Sequence, residues 1–81
     1  MTLELFKFET CPFCRKVMSY IEESGRTDVV YYDAKTDEAA AERLMRIGGK
    51  YQVPCLFIDG EPLYESADII KWLEEHPSVE K

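Results

Sequence analysis

The feature that most constrains this chain is an apolar run, Leu3 to Phe8, that passes through Glu9 into Thr10-Cys11-Pro12-Phe13-Cys14 and on into a helical pattern. A run so dense in Leu and Phe reads as a strand that needs cover on both faces. From Pro12 to about Ser24, Phe13, Val17, Tyr20, Ile21 and Ser24 recur at three- and four-residue spacing, and Gly25 offers a left-handed stop. The strand therefore delivers the chain to the start of an amphipathic helix. Val29 to Tyr32, a β-branched and aromatic run between turn-formers, predicts a second strand, parallel to the first if that helix connects them.

The remainder continues the alternation. Thr36 is placed to cap a second helix with Ala40, Leu44 and Ile47 on one face, and Gly48-Gly49 ends it. Val53-Pro54 interrupts the pattern, Cys55 to Ile58 predicts a third strand, and Asp59-Gly60 is a hairpin signal leading into Leu63-Tyr64. Ser66 is placed to cap a last helix with Ile69, Ile70 and Leu73 facing inward, His76 in its final turn and Pro77 beyond. The expected fold class is α/β, in the order β-α-β-α-β-β-α: a mixed four-stranded sheet flanked by three helices. Right-handed crossovers put helices on both faces of such a sheet, which accounts for the apolar first strand.

At 81 residues the chain is expected to form one domain over 1–81, large enough for one modest core. Its net charge of -6, with ten Lys and Arg scattered among sixteen acids, excludes the basic face that nucleic acid or an anionic membrane surface requires. The N-terminus shows no basic region followed by an apolar stretch, and no segment reaches transmembrane length, so a cytoplasmic protein is expected. A monomer is expected as well. Three cysteines, two of them in one short motif, suit a catalytic pair in a reducing compartment better than a disulfide framework.

Chemistry concentrates at Cys11-Pro12-Phe13-Cys14. With Pro12 at the first helical position, Cys11 becomes the N-cap and its sulfur is expected to face the free N–H groups of Phe13 and Cys14. Such donors favour thiolate over thiol. Cys11 is thus the candidate attacking thiol. Cys14, one turn inside and shielded, is the candidate resolving thiol, able to close a Cys11–Cys14 disulfide and release the substrate. A half zinc site is the alternative, with only Cys55 and His76 left as soft ligands. Pro54 belongs at a strand start, in cis or in trans; a cis bond would turn the backbone of Val53 toward the Cys11 loop. Cys55 reads as a small buried hydrophobe and His76 as a helix-dipole partner.

Taken together, Cys11-Pro12-Phe13-Cys14, Gly49-Lys50-Tyr51-Gln52-Val53-Pro54 and Phe57-Ile58-Asp59-Gly60 resemble the glutaredoxin pattern in order and spacing, over nearly the whole chain. The resemblance implies the thioredoxin fold, attack by Cys11, and a glutathione site formed by Pro12, Phe13, Lys50, Val53, Pro54, Glu65, Ser66 and Asp68. In it the backbone at Val53 pairs with glutathione, and the start of the last helix holds the γ-glutamyl end, with Asp68 taking the ammonium. Lys50 would reach the glycyl carboxylate; a solvated lysine is its plainer reading. Many glutaredoxins carry a lysine three residues before the first cysteine. Here that place is Phe8, and strand alternation sends the nearest cation, Lys7, to the opposite face. Leu63-Tyr64-Glu65-Ser66-Ala67-Asp68-Ile69 is similar instead to the N-terminal domain of glutathione transferases, where the Glu-Ser pair holds the γ-glutamyl group.

The function these residues imply is glutathione-dependent reduction of protein disulfides or glutathione mixed disulfides, with glutathione or another small thiol as co-substrate, no tightly bound cofactor and no metal. Disulfide-containing or glutathionylated proteins would be its partners. Two other classes stay open. A transferase-like thiol-binding domain would need a pocket normally completed by a second, helical domain, and the sequence stops at Lys81. An iron–sulfur carrier would hold its cluster on Cys11 and glutathione from two subunits.

Overall fold

A computed structural model describes residues 2–77. Met1 and residues 78–81, which the expected 1–81 unit includes, lie outside that range. The elements are β1 (Leu3–Lys7), α1 (Pro12–Ser24), β2 (Val29–Asp33), α2 (Glu38–Gly48), β3 (Cys55–Ile58), β4 (Glu61–Tyr64) and α3 (Ser66–Glu75). They follow the expected order, and the sheet runs β2-β1-β3-β4. β1 is parallel to β2, with Leu5 opposite Tyr31, and antiparallel to β3, with Leu5 opposite Leu56. β4 returns antiparallel to β3 through Asp59 and Gly60. Both turn residues have positive φ, 51° and 89°, as a two-residue hairpin with the twist of its strands requires.

Alternation along β1 divides the core into two layers. Leu3 and Leu5 join Val17, Ile21, Leu56, Ile69 and Leu73 beneath α1 and α3. Phe6 joins Ala40, Leu44, Cys55 and Phe57 beneath α2. The sheet is thus covered on both sides. Arg43 of α2 fixes the second layer from its rim: its guanidinium bonds both oxygens of Glu4, at 2.9 and 3.2 Å, and lies over the Phe6, Tyr32 and Phe57 rings. Arg26 does the same for the first, pairing with Asp28 and donating to the Leu73 carbonyl at 3.2 Å.

Several local expectations are corrected. Asp37, not Thr36, caps α2, its carboxylate accepting from the Ala40 N–H at 3.2 Å. Thr36 instead closes a turn onto the Asp33 carbonyl, and the helix starts at Glu38, one residue later than a Thr36 cap would place it. Glu65, not Ser66, is the N-cap of α3, because Ser66 already takes helical geometry. Ile47 and Phe13 were expected to be apolar face positions, yet they are 42% and 62% exposed. The packing stripe of α1 is Cys14, Val17 and Ile21, and position 13 is rotated about 100° from position 14 by helical geometry. Ser24 is likewise outside that stripe, its hydroxyl bonded to the Ile21 carbonyl at 2.7 Å. The last turn of α2 faces Tyr64, where a Cβ on Gly48 would sit 2.1 Å from the tyrosine hydroxyl oxygen. Ile47 is therefore left at the surface while glycine makes the contact. Among the described residues no helix is long and apolar enough to cross a membrane.

Candidate active site

The motif occupies the turn where β1 hands the chain to α1. Pro12 takes the first helical position and Cys11 the N-cap, with extended backbone at φ -84° and ψ 119°. The Cys11 carbonyl accepts the first helical bond, from Arg15 at 3.0 Å, and its own N–H donates back to Phe8 at 3.3 Å. Its side chain makes no capping hydrogen bond, so the expected contacts from the Phe13 and Cys14 amides to the sulfur are not made in this conformation. The thiol is half-buried at the mouth of the turn.

Cys14 is fully buried one turn into the helix. Its sulfur accepts the Phe8 N–H at 3.4 Å, which ties the end of β1 to the first turn of α1. Burial pushes the Cys14 thiol up to about 12, and the neighbouring Cys11 sulfur adds to the rise. The Phe8 N–H and the Lys7 ammonium oppose it. Burial thus favours the Cys14 thiol over its thiolate. Cys55 is also fully buried, and burial lifts its thiol to about 11 despite the adjacent Tyr64 hydroxyl. Neither Cys55 nor His76 joins the motif cysteines in a group of three or more metal-ligating side chains among the described residues.

Beside the motif lies an open cleft of about 200 Å³ lined by Phe13, Gln52, Val53, Pro54, Glu65 and Ser66. Three separate stretches supply it. Phe13 projects from the first turn of α1, the loop before β3 contributes Gln52 through Pro54, and the entry to α3 contributes Glu65 and Ser66. The Val53–Pro54 peptide is cis. Five of the residues expected to hold a ligand thus meet in one place. Three do not line it: Pro12 is exposed at the helix start, Asp68 is exposed further along α3, and Lys50 has its ammonium over the Tyr64 ring, 4.6 Å from the centroid.

Glu65 carries the only positive φ outside glycine and the hairpin turn among the described residues, at 75° with ψ 120°. A side chain in that region costs of order 1–3 kcal/mol and is retained where surrounding structure holds it. Here the carboxylate is held across the cleft by Gln52, and the Glu65 carbonyl accepts the first α3 bond from Ile69 at 2.9 Å.

Gln52, which lines the cleft, and Lys7, which lies behind the motif and lines no part of the cleft, stand outside the residues marked in the sequence for catalysis or ligand binding. Gln52 stands in the run Gly49 to Pro54 directly before Val53, and only the turn before β3 brings it to the cleft. Lys7 does leave the face of Phe8, as alternation requires, but that takes it toward α1, where it is buried and paired with Glu9. Its signal was present as a lysine continuing the Leu3-Leu5 period.

The family model described as glutathione S-transferase, N-terminal domain, matches residues 10–76. A probable glutaredoxin of Synechocystis sp. is 28% identical over 67 residues, which is 83% of this chain and 76% of that protein. The crystal structure of the thioredoxin-like protein BC3987 superposes with a TM-score of 0.77 at 27% identity, over 91% of this chain and 96% of that one. Glutathione transferase Omega 3C from Trametes versicolor gives 0.76 at 23% identity, over 93% of this chain but 33% of the transferase, a likeness of fold.

Proposed function

Because this chain belongs to the glutathione S-transferase N-terminal domain family and is a glutaredoxin-like protein of the thioredoxin fold, we propose that it is a glutathione-dependent thiol–disulfide oxidoreductase. One observation carries the reading: a half-buried Cys11 at a helix N-cap with a fully buried, proton-retaining Cys14 one turn behind it. The two thiols are thereby unequal. Cys11 can be reached by a substrate and Cys14 cannot, so the order of attack is set by access.

In the proposed cycle the Cys11 thiolate attacks one sulfur of a protein disulfide or a glutathionylated protein. An S–S bond forms to Cys11, and the displaced sulfur leaves as a thiolate. The mixed disulfide is then resolved by Cys14, which closes the Cys11–Cys14 disulfide, or by a second glutathione. Glutathione would lie in the cleft with its backbone against Val53 and Pro54. Its γ-glutamyl carboxylate would meet the free N–H groups that begin α3 and the Ser66 hydroxyl, and its ammonium the Glu65 carboxylate. The cleft, smaller than the roughly 300–1,000 Å³ of enclosed small-molecule pockets, suits an extended peptide held along one edge.

The test is turnover of a glutathionylated peptide with glutathione as reductant, compared with turnover using other small thiols. Glutathione-specific saturation that is weakened by Ser66→Ala is expected; equal rates with every thiol would remove the cleft from the reading. Glu65-Ser66 at the cleft also favours a second reading, a glutathione-conjugating activity of the transferase kind. Formation of a thioether with an electrophilic aromatic halide, unaffected by Cys14→Ser, would favour it instead.

A further inference from the structure

The surface of β1 that meets α1 is made by alternate residues, Leu3, Leu5 and then Lys7, and the stripe of α1 that meets it by Ile21, Val17 and then Cys14. Leu3, Leu5, Val17 and Ile21 pack in one layer. The chain reverses between strand and helix, so both series end at the motif and Lys7 stands where a third apolar partner would complete the layer against Cys14. The Phe8 N–H that bonds the Cys14 sulfur fixes the same register. Lys7 is only 7% exposed, its ammonium paired with Glu9 and 4.0 Å from Asp33. An ammonium held out of water is costly unless it is paired, so an apolar residue here would be the cheaper way to fill the layer. An open cavity of about 390 Å³ lies against Lys7, bordered also by Glu9, Arg15, Glu22 and Tyr31, and gives water access to this side of α1.

We propose that Lys7 is a positioning residue for the second thiol–disulfide exchange: its ammonium, held by Glu9 and Asp33 between β1 and α1, stabilises the Cys14 thiolate that attacks the mixed disulfide on Cys11. This rests on the reading of Cys11 as nucleophile and Cys14 as resolver. In the step, the Cys14 proton passes to water and the new thiolate bonds to the Cys11 sulfur. The bond from Cys11 to the substrate sulfur breaks, and the substrate leaves as a thiolate that water reprotonates. No outside oxidant or reductant enters. The ammonium matters because Cys14 is otherwise enclosed by groups that favour its thiol, burial and the Cys11 sulfur, with only the Phe8 N–H and Lys7 acting the other way. The charges facing Lys7 are Glu9, Asp33 of β2, and Arg15 and Glu22 of α1. The Tyr31 phenol, raised by burial and by Glu22, is neutral near pH 7.

The experiment is a single-turnover reaction with an aromatic disulfide whose leaving thiol is coloured. One coloured thiol is released when Cys11 attacks, and a second when Cys14 resolves. With Lys7→Met, which restores an apolar layer, the first release is expected to be unchanged. The second should slow by about tenfold near pH 7, with its pH profile moved about one unit or more to the alkaline side. Lys7→Arg, which keeps the charge, should hold the wild-type profile. A second release in Lys7→Met with the wild-type profile overturns the proposal, and so does a Lys7→Arg protein as slow as Lys7→Met. If the second release persists in Cys14→Ser, the assignment of Cys14 as resolver has failed, a result separate from any effect of Lys7.

Discussion

Gln52 reaches across the cleft to Glu65, its amide nitrogen 3.4 Å from a carboxylate oxygen, and so joins the loop before β3 to the entry of α3. The contact is long and exposed. Its worth lies in orienting a carboxylate whose backbone is held at positive φ.

Glu65→Gly should therefore separate stability from binding. Glycine removes the side chain that makes the conformation costly, so unfolding by denaturant should show a gain of about 1 kcal/mol after the entropy glycine loses on folding. Glutathione affinity, measured by calorimetry, should fall. Glu65→Ala, which keeps the strain and loses the carboxylate, should lose affinity without the gain.

The motif cysteines should respond unequally to substitution. Cys11→Ser is expected to abolish activity toward every disulfide, since a serine hydroxyl cannot exchange with sulfur. Cys14→Ser should keep deglutathionylation, because a second glutathione can resolve the adduct on Cys11, and lose most reduction of protein disulfides. Assays of both substrates on both folded variants check this. Equal loss of deglutathionylation would remove the assigned roles.

Gly48→Ala sets helix propensity against a collision. Alanine is better than glycine inside a helix by about 1 kcal/mol, but here the added Cβ meets the Tyr64 hydroxyl oxygen at 2.1 Å and the ring carbon behind it at 3.2 Å. That hydroxyl donates to the Lys50 carbonyl at 3.0 Å, which limits its freedom to move. A net destabilisation of about 1–3 kcal/mol is expected. In a Tyr64→Phe background the same substitution should cost much less, and a double-mutant cycle by chemical denaturation measures the difference.

The Arg26–Asp28 pair gives an acid-dependent contribution to stability. The Arg26 hydrogen bonds hold the Asp28 carboxyl below the ordinary carboxylate range. The pair's contribution is therefore complete above the unfolded value, near 3.9, and is lost as pH falls through the lower folded value. Asp28→Asn should lower stability at pH 7 and flatten its fall below pH 4, read from urea midpoints across the acid range.

The sequence displayed regular features better than exceptions. α1 begins at Pro12 and stops at Gly25, and β3 spans Cys55 to Ile58, as the proline, the glycine and the apolar run indicated. Those signals are local, so neighbours in sequence suffice to read them. Phe13 and Ile47 misled because apolar spacing identifies a stripe without saying which edge of it the sheet accepts. Thr36 and Ser66 were reasonable caps by residue type; Asp37 and Glu65 took the positions because the turn after β2 and the end of β4 set where each helix begins. The cleft was legible through Phe13, Val53, Pro54, Glu65 and Ser66, whereas Gln52 becomes part of it only when the loop before β3 meets α3. Lys7 shows the same limit: alternation gave its direction, but packing of α1 decided what lay there.

Trp72 is the chain's only tryptophan and His76 its only histidine, and their rings stack 4.1 Å apart at an interplanar angle of 13°. The imidazole is anchored through its Nδ1, which donates to the Trp72 carbonyl at 2.8 Å. The molecule thus carries an intrinsic optical reporter at the C-terminal end of α3. Its fluorescence should change when that helix unravels and the two rings part, so unfolding can be followed without a label and without touching a thiol.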